Sequence, residues 1–288
     1  MTWIEILLVC IVIFMLVCLV SIWHASTHFH KVFYRLSSDK ISKPVKFVLL
    51  SDLHDQKYGK ENDKLLHAIN EEEPDAIFIA GDMLTALEER KKKVAEHLIK
   101  ILAEKYTIYY SLGNHEAKMD WNRKKYGNRY EEYMEPVKSS GVIVLRNEYA
   151  DYSEENIRIY GLDMDGRFYK RCGKVNMGNT YLKDTLGDFD AGYYNILLAH
   201  NPTYFEEYAS RKPDLVLSGH VHGGLVRLPF FGGVISPSYE LFPKYDGGRF
   251  ECGNAIMILG RGLGMHSIGF RMWNPAELVV IEIVPKDK

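Results

Sequence analysis

The chain has 288 residues, with 36 Lys plus Arg against 38 Asp plus Glu, a formal net charge of −2. This near balance excludes the strong basic field that bulk nucleic-acid binding requires, and 47% hydrophobic with 26% charged residues excludes a disordered or fibrous chain. Four cysteines, two of them (Cys10 and Cys18) inside an apolar run, exclude a disulfide scaffold.

The first element is residues 6–23 (ILLVCIVIFMLVCLVSIW), which carry no formal charge and are nearly all large and apolar. As a helix they have the length needed to cross about 30 Å of hydrocarbon, and Trp3 and Trp23 stand near the ends, where amphipathic rings favour the headgroup region. Glu5, with no Lys or Arg before the run and no small-x-small site after it, favours an uncleaved anchor over a cleaved signal. Lys31, Arg35, Lys40, Lys43 and Lys46 follow the span and favour a cytoplasmic position for what lies downstream. The expected organisation is a membrane anchor at 1–24, in contact with the lipid bilayer, a juxtamembrane linker at 25–44 and a catalytic domain at 45–288.

Beyond the linker, strand-length apolar runs alternate with helical patterns. Residues 45–50 (VKFVLL), 76–80 (AIFIA), 107–112 (TIYYSL), 195–199 (NILLA) and 214–217 (DLVL) read as strands, with further strands at 156–162, 254–259 and 277–283. Residues 62–70 and 87–102 read as helices, the second closing on an apolar face of Leu98, Ile99, Ile101 and Leu102. The alternation predicts an α/β domain with a largely parallel sheet.

Each apolar run ends in polar residues. VKFVLL runs into Ser51-Asp52-Leu53-His54, AIFIA into Gly81-Asp82, TIYYSL into Gly113-Asn114-His115-Glu116, NILLA into His200, and DLVL into Ser218-Gly219-His220-Val221-His222. In open α/β sheets the crevice lies outside the carboxyl ends of the strands, so these residues are expected to converge. Asp52, Asp82, Asn114, His54, His200, His220 and His222 form a mixed nitrogen and oxygen set without thiolates, which suits Mn, Fe, Co or Zn. Seven ligands exceed one ion and fit two that share a carboxylate, the arrangement that clamps a displacement at phosphorus. The glycines before Asp82, Asn114 and His220 suit tight turns off the strands.

Asp52-x-His54, Gly81-Asp82, Gly113-Asn114-His115-Glu116, His200 and Gly219-His220-x-His222 together resemble the signature of the calcineurin-like metallophosphoesterases, from about residue 45 to the C-terminus. The chain is most similar to the bacterial membrane-associated branch, with Gly223-Gly224, Leu228-Pro229 and Pro275-Ala276-Glu277-Leu278 in corresponding places, while Leu225 stands where many members carry Gln. The resemblance implies a four-layer α/β/β/α sandwich, two mixed sheets face to face with helices outside. It implies a hydrolase of phosphoric esters that acts on a phosphomonoester or diester substrate with two divalent metal ions, manganese foremost and Fe, Zn or Co alternatives. On the family pattern Asp52, His54 and His222 hold one ion, Asn114, His200 and His220 the other, and Asp82 bridges. His115 then stabilises the transition state or protonates the leaving group, and Glu116 supports the ligands from behind.

Residues 117–135 mix Lys118, Arg123, Lys124, Lys125 and Arg129 with Trp121, Tyr126, Tyr130 and Tyr133, either a phosphate-binding rim or a solvated helix with packing aromatics. Residues 228–245 (LPFFGGVISPSYELFPKY) are apolar and aperiodic and read as a loop covering the cleft mouth or the bilayer surface. His24, His28 and His30 read as interfacial, His67 and His97 as helix residues, and His266 stays outside the predicted site. An anchored domain with apolar rim residues suits a lipid-linked or cell-envelope phosphoester. The alternative is a catalytically inactive metal-binding membrane scaffold or sensor, disfavoured because every expected ligand and His115 are present.

Overall fold

The computed structural model describes residues 1–86, 92–170, 173–178, 180–265 and 269–286. Its helices are α1 (Trp3–Thr27), α2 (Asp63–Glu72), α3 (Lys92–Ala103), α4 (Asn114–Trp121), α5 (Arg123–Tyr126), α6 (Arg129–Ser139), α7 (Tyr181–Leu186) and α8 (Phe205–Ser210). Its strands are β1 (Phe29–Ser38), β2 (Val45–Leu50), β3 (Ala76–Ala80), β4 (Thr107–Ser111), β5 (Ile143–Leu145), β6 (Glu148–Tyr152) and β7 (Ile157–Leu162). They continue with β8 (Tyr194–Ala199), β9 (Leu215–Ser218), β10 (Val226–Leu228), β11 (Gly232–Ile235), β12 (Gly248–Cys252), β13 (Ala255–Leu259) and β14 (Ala276–Pro285). The helix expected at 87–102 is observed from Lys92 onward; its residues 87–91, like Cys172 and His266, lie outside the described residues.

Two six-stranded mixed sheets, ordered β1-β14-β2-β3-β4-β5 and β12-β13-β9-β8-β7-β6, pack face to face. Their central strands, such as β2, β3 and β8, are apolar on both faces, and the period of two sorts the side chains between layers. In β2, Phe47 and Leu49 enter the core between the sheets while Val48 and Leu50 turn to the helices. In β8, Ile196 and Leu198 face inward and Leu197 and Ala199 face α8. Helices α2, α3 and α6 cover the first sheet, and α7 and α8 cover the second. The result is the α/β/β/α sandwich, preceded by an apolar helix long enough to cross a membrane.

The segment 25–44, expected as a linker, instead carries β1, which runs parallel to β14 from Phe29 beside Ala276 to Ser38 beside Pro285. It is an edge strand, and the charges and serines that edge strands carry against aggregation are the features that read as a linker. Residues 117–135 form α4 to α6, with Tyr126, Tyr130 and Tyr133 buried and Arg123 paired with Asp120 and Glu131, so they pack as helices. Residues 228–245 are also ordered: β10 and β11 form an antiparallel hairpin. His67 pairs with Glu71 at 3.1 Å on the surface of α2, and His97 lies 3.7 Å from Glu61.

Candidate metal centre

The residues at the ends of β2, β3, β4, β8 and β9 converge on one side of the sandwich. Three groups of ligand atoms lie within 4.8 Å of one another: Asp52 with His54 and His222; His54 with Asp82 and His115; Asp82 with His200 and His220. The first and third groups are joined by Asp82, whose Oδ2 is 3.1 Å from His200 Nε2 and 3.9 Å from His54 Nε2. Asn114 opens α4 beside them, with its side-chain oxygen buried and without a hydrogen-bond partner.

Sharp turns place these side chains. Asp52, His54, Asp82, His220 and His222 all have φ between +47° and +74°, a region costly for non-glycine residues and concentrated at functional sites. Two of the glycines are needed for close approach rather than for a turn: a Cβ on Gly113 would come within 2.2 Å of Asp82 Oδ1, and one on Gly219 within 2.2 Å of Asp52 Oδ2. Neither has a left-handed φ.

Backbone hydrogen bonds orient the ring nitrogens. His200 Nδ1 donates to the Ala80 carbonyl at 2.6 Å, so that in the neutral ring the Nε2 lone pair faces the carboxylates, as in metal-ligating histidines. His54 and His222 direct their Nε2 atoms at each other across 3.1 Å, with Asp52 Oδ1 3.4 Å from His222 Nε2. Asp52 is also held by the His220 N–H at 2.9 Å. His115 accepts the Ala86 N–H at Nδ1, 3.0 Å away, so in the neutral ring Nε2 carries the proton. Its own N–H donates to Asp82 Oδ1 at 2.7 Å.

Glu116 is fully buried behind the centre. Its carboxylate accepts hydrogen bonds from the N–H groups of Asp82 (2.9 Å), Met83 (2.8 Å) and Gly113 (3.1 Å) and from the Tyr110 hydroxyl (2.7 Å). It thereby ties the turn after β3 to the start of α4.

The electrostatics are those of a site that lacks positive charge. Burial pushes Asp52 up to about 6 against the pull of His200. Burial also opposes ionisation of Asp82, yet His200, His115 and His54 hold it well below the usual carboxylate range. Burial would lower His200, but the paired Asp82 and then Asp52 raise it to about 10. His115 is lowered by burial. Two aspartates that retain a proton on the neighbouring imidazole, a buried amide oxygen without a donor, and lone pairs turned inward all fit divalent cations.

Residues around Arg271 also belong to this centre, and no motif marks them. Asn274 Nδ2 donates to the carbonyls of His222 and Gly224, both at 2.6 Å, and the buried Arg271 reaches the His222 carbonyl from the same side. Tyr169, whose ring centroid is 5.5 Å from that of His220, borders a cavity of about 300 Å³ with Lys170, Asn201, Ser238 and Glu240. A buried guanidinium and a buried amide gain their role only because folding sets the segment before β14 against the turn after β9.

The sequence pattern of the calcineurin-like phosphoesterases matches residues 45–224, which include every one of the converging residues. An uncharacterized metallophosphoesterase of Bacillus subtilis, YkuE, is 30% identical over 247 residues, covering 83% of this chain and 78% of that protein. The phosphodiesterase YaeI of Escherichia coli is 25% identical over 244 residues, covering 84% and 83%. A transmembrane protein with a metallophosphoesterase domain from Danio rerio is 27% identical over 254 residues, covering 82% of this chain and 52% of that one. The chain belongs to the calcineurin-like phosphoesterase family and is a hydrolase of phosphoric ester bonds with a dinuclear site for divalent metal.

Proposed function

We propose that the protein hydrolyses a phosphomonoester or phosphodiester at the membrane surface, with Asp52, His54 and His222 holding one cation, Asn114, His200 and His220 the other, and Asp82 bridging them. The observation that carries this reading is the position of Asp82 between the Asp52, His54 and His222 group and the His200 and His220 pair, with its Oδ2 3.9 Å from His54 Nε2 and 3.1 Å from His200 Nε2. Bound there, a pair of divalent cations supplies Lewis acidity to the phosphoryl group and activates water for in-line attack. Manganese is the first choice, with Fe, Zn or Co also suited to an imidazole and carboxylate set.

The protein's own groups do the rest. His115 presents Nε2–H toward the cleft and donates to the leaving oxygen, its ring orientation held by the Ala86 N–H. Glu116 keeps Asp82 and α4 in register. Lys170 and Tyr169, in the cavity beside His220, contact the rest of the substrate. In this reading helix α1 anchors residues 1–24, and the cations that follow it favour a cytoplasmic position for residues 45–288 together with β1, with a lipid-linked or cell-envelope phosphoester as substrate.

The test is metal content and hydrolysis of generic monoesters and diesters by the full chain in detergent, wild type beside Asp82→Asn and His115→Ala. About two metals per chain, with turnover abolished by Asp82→Asn and reduced by His115→Ala at unchanged metal content, is the expected result. A folded protein that takes up no metal after incubation with Mn or Zn overturns the reading.

A further inference from the structure

We infer that the β10–β11 hairpin and the segment that follows it form a second membrane-contacting element, in which Phe230 and Phe231 of the hairpin turn and Leu241 and Phe242 beside β11 enter the same bilayer that holds α1. The inference rests on α1 being lodged in a membrane and is independent of the chemistry at the metal centre.

The hairpin end is apolar and open. Phe230 is fully exposed, and Phe231, Leu241 and Phe242 are 74, 66 and 61% exposed, comparable with Trp23 of the anchor at 61%. Phe230 has φ +68° and Phe242 φ +48°. Glycine or asparagine would take those conformations at lower cost, so turn geometry does not account for the aromatic rings. Phe230 and Phe231 form the turn, while Leu241 pairs with Ile235 and the Phe242 N–H donates to the Val234 carbonyl at 2.9 Å farther along β11, and large exposed apolar residues on such adjoining segments mark an interaction surface.

The position of that surface is fixed by the chain itself. Arg227 N–H donates to the Met272 carbonyl at 3.0 Å, and Met272 N–H to the Leu225 carbonyl at 2.9 Å, so β10 is stitched to the segment before β14. The next residue, Trp273, donates its N–H to Ser21 Oγ of α1 at 2.8 Å, and its ring centroid lies 6.2 Å from that of Phe14. Trp273 and Phe231 line the same cavity of about 840 Å³, which places the hairpin end and the α1 contact on one side of the domain.

Depth along the helix then selects the occupant. At a rise of 1.5 Å per residue, Ser21 and Phe14 stand about 3 and 14 Å inside Trp23. With Trp23 at the headgroup level, Trp273 packs beside the part of α1 that lies in hydrocarbon. α1 is apolar on every face over residues 6–23, which suits a spanning helix rather than one lying flat. The domain face that carries the hairpin therefore meets the bilayer. The adjoining cations do not create a free anion site, because Arg227 pairs with Asp246, Lys244 with Glu206 and Arg261 with Glu277. The occupant is hydrocarbon and glycerol backbone rather than a bound phosphate.

The experiment is photolabelling of the full chain, reconstituted in phosphatidylethanolamine and phosphatidylglycerol vesicles that contain a phosphatidylcholine with a diazirine on one acyl chain, followed by peptide mapping. Adducts on α1 and on residues 228–242 are expected. Phe230→Asp with Phe231→Asp should lower the hairpin adducts about tenfold or more while α1 stays labelled. Adducts on α1 alone, the result if a second copy or another protein covers the hairpin, overturn the inference. Adducts on neither overturn the anchor and the inference together, whereas metal binding and turnover in the same preparation report separately on the proposed enzyme.

Discussion

Arg271 Nη2 donates to the backbone carbonyl of His222 at 3.0 Å, so a buried guanidinium holds the turn that presents one of the candidate ligand imidazoles. Its Nη1 reaches the carbonyls of Gly262 (3.0 Å) and Gly264 (2.9 Å), in the loop that packs against Asp52 and Leu53. Burial lowers its pKa to about 10, and it stays cationic at neutral pH. Two ligand turns, from the ends of β2 and β9, are thus tied to one side chain.

Replacing Arg271 should damage both stability and metal affinity. Arg271→Met leaves several buried carbonyls without a donor and should cost about 3 kcal/mol, which lowers Tm by roughly 6–12 °C in a domain of this size. Because the His222 turn loosens, metal should also bind about 10- to 100-fold more weakly. Thermal unfolding and metal titration check the two effects; Arg271→Lys, which lacks the fork of donors, should rescue little. Wild-type affinity in either variant would show that Arg271 does not position His222.

Chelation should separate binding from folding. If the cations are present at about 100 times their dissociation constant, each independent site contributes about 2.7 kcal/mol to stability. A chelator should then abolish turnover and lower the unfolding midpoint of the wild type while shifting Asp82→Asn much less. An equal shift in both proteins would place the stabilising metal elsewhere.

His115 should act on the rate and not on the metal. His115→Ala is expected to reduce kcat by about 10²–10⁴-fold on a substrate with a poor leaving group, with metal content unchanged. The deficit should shrink on an aryl ester, whose leaving oxygen needs no proton. A loss of metal in His115→Ala would make the ring a ligand instead.

Glu277 should contribute an acid-sensitive share of stability. Burial opposes its ionisation, but His30, 3.5 Å away, and Arg261, bonded through Nε at 2.5 Å, outweigh this and hold its pKa below the ordinary glutamate value of 4.5. With the folded-state pKa below the unfolded one, the stabilisation is complete above pH 4.5 and lost as the pH falls through the folded-state value. Glu277→Gln should therefore be about 3 kcal/mol less stable at pH 7 and show a flatter loss of stability below pH 5. Denaturant unfolding between pH 3 and 7 measures both, and parallel curves for the two proteins would refute the assignment.

The convergence of the candidate ligands was legible in the sequence because each of them sits just after an apolar run. A continuous buried strand is a local pattern, and the crevice outside its carboxyl end follows from the general behaviour of α/β sheets. β2, β3, β4, β8 and β9 were visible for that reason, as was α1, whose length and lack of charge are also local.

What only the tertiary structure decided depends on distant partners. β1 looks polar and linker-like until it pairs with β14, 247 positions away, because an edge strand takes its structure from its neighbour rather than from its own hydrophobicity. The packing roles of Tyr126, Tyr130 and Tyr133 against the phosphate-binding alternative turned on which faces of α5 and α6 were covered. Arg271 and Asn274 carry no motif, since their value lies in carbonyls that chain folding brings to them. In the sequence the hairpin aromatics read equally well as a lid or a membrane surface, and only the contact of Trp273 with Phe14 and Ser21 sets them beside α1, for a surface acquires a partner only through what lies beside it in space.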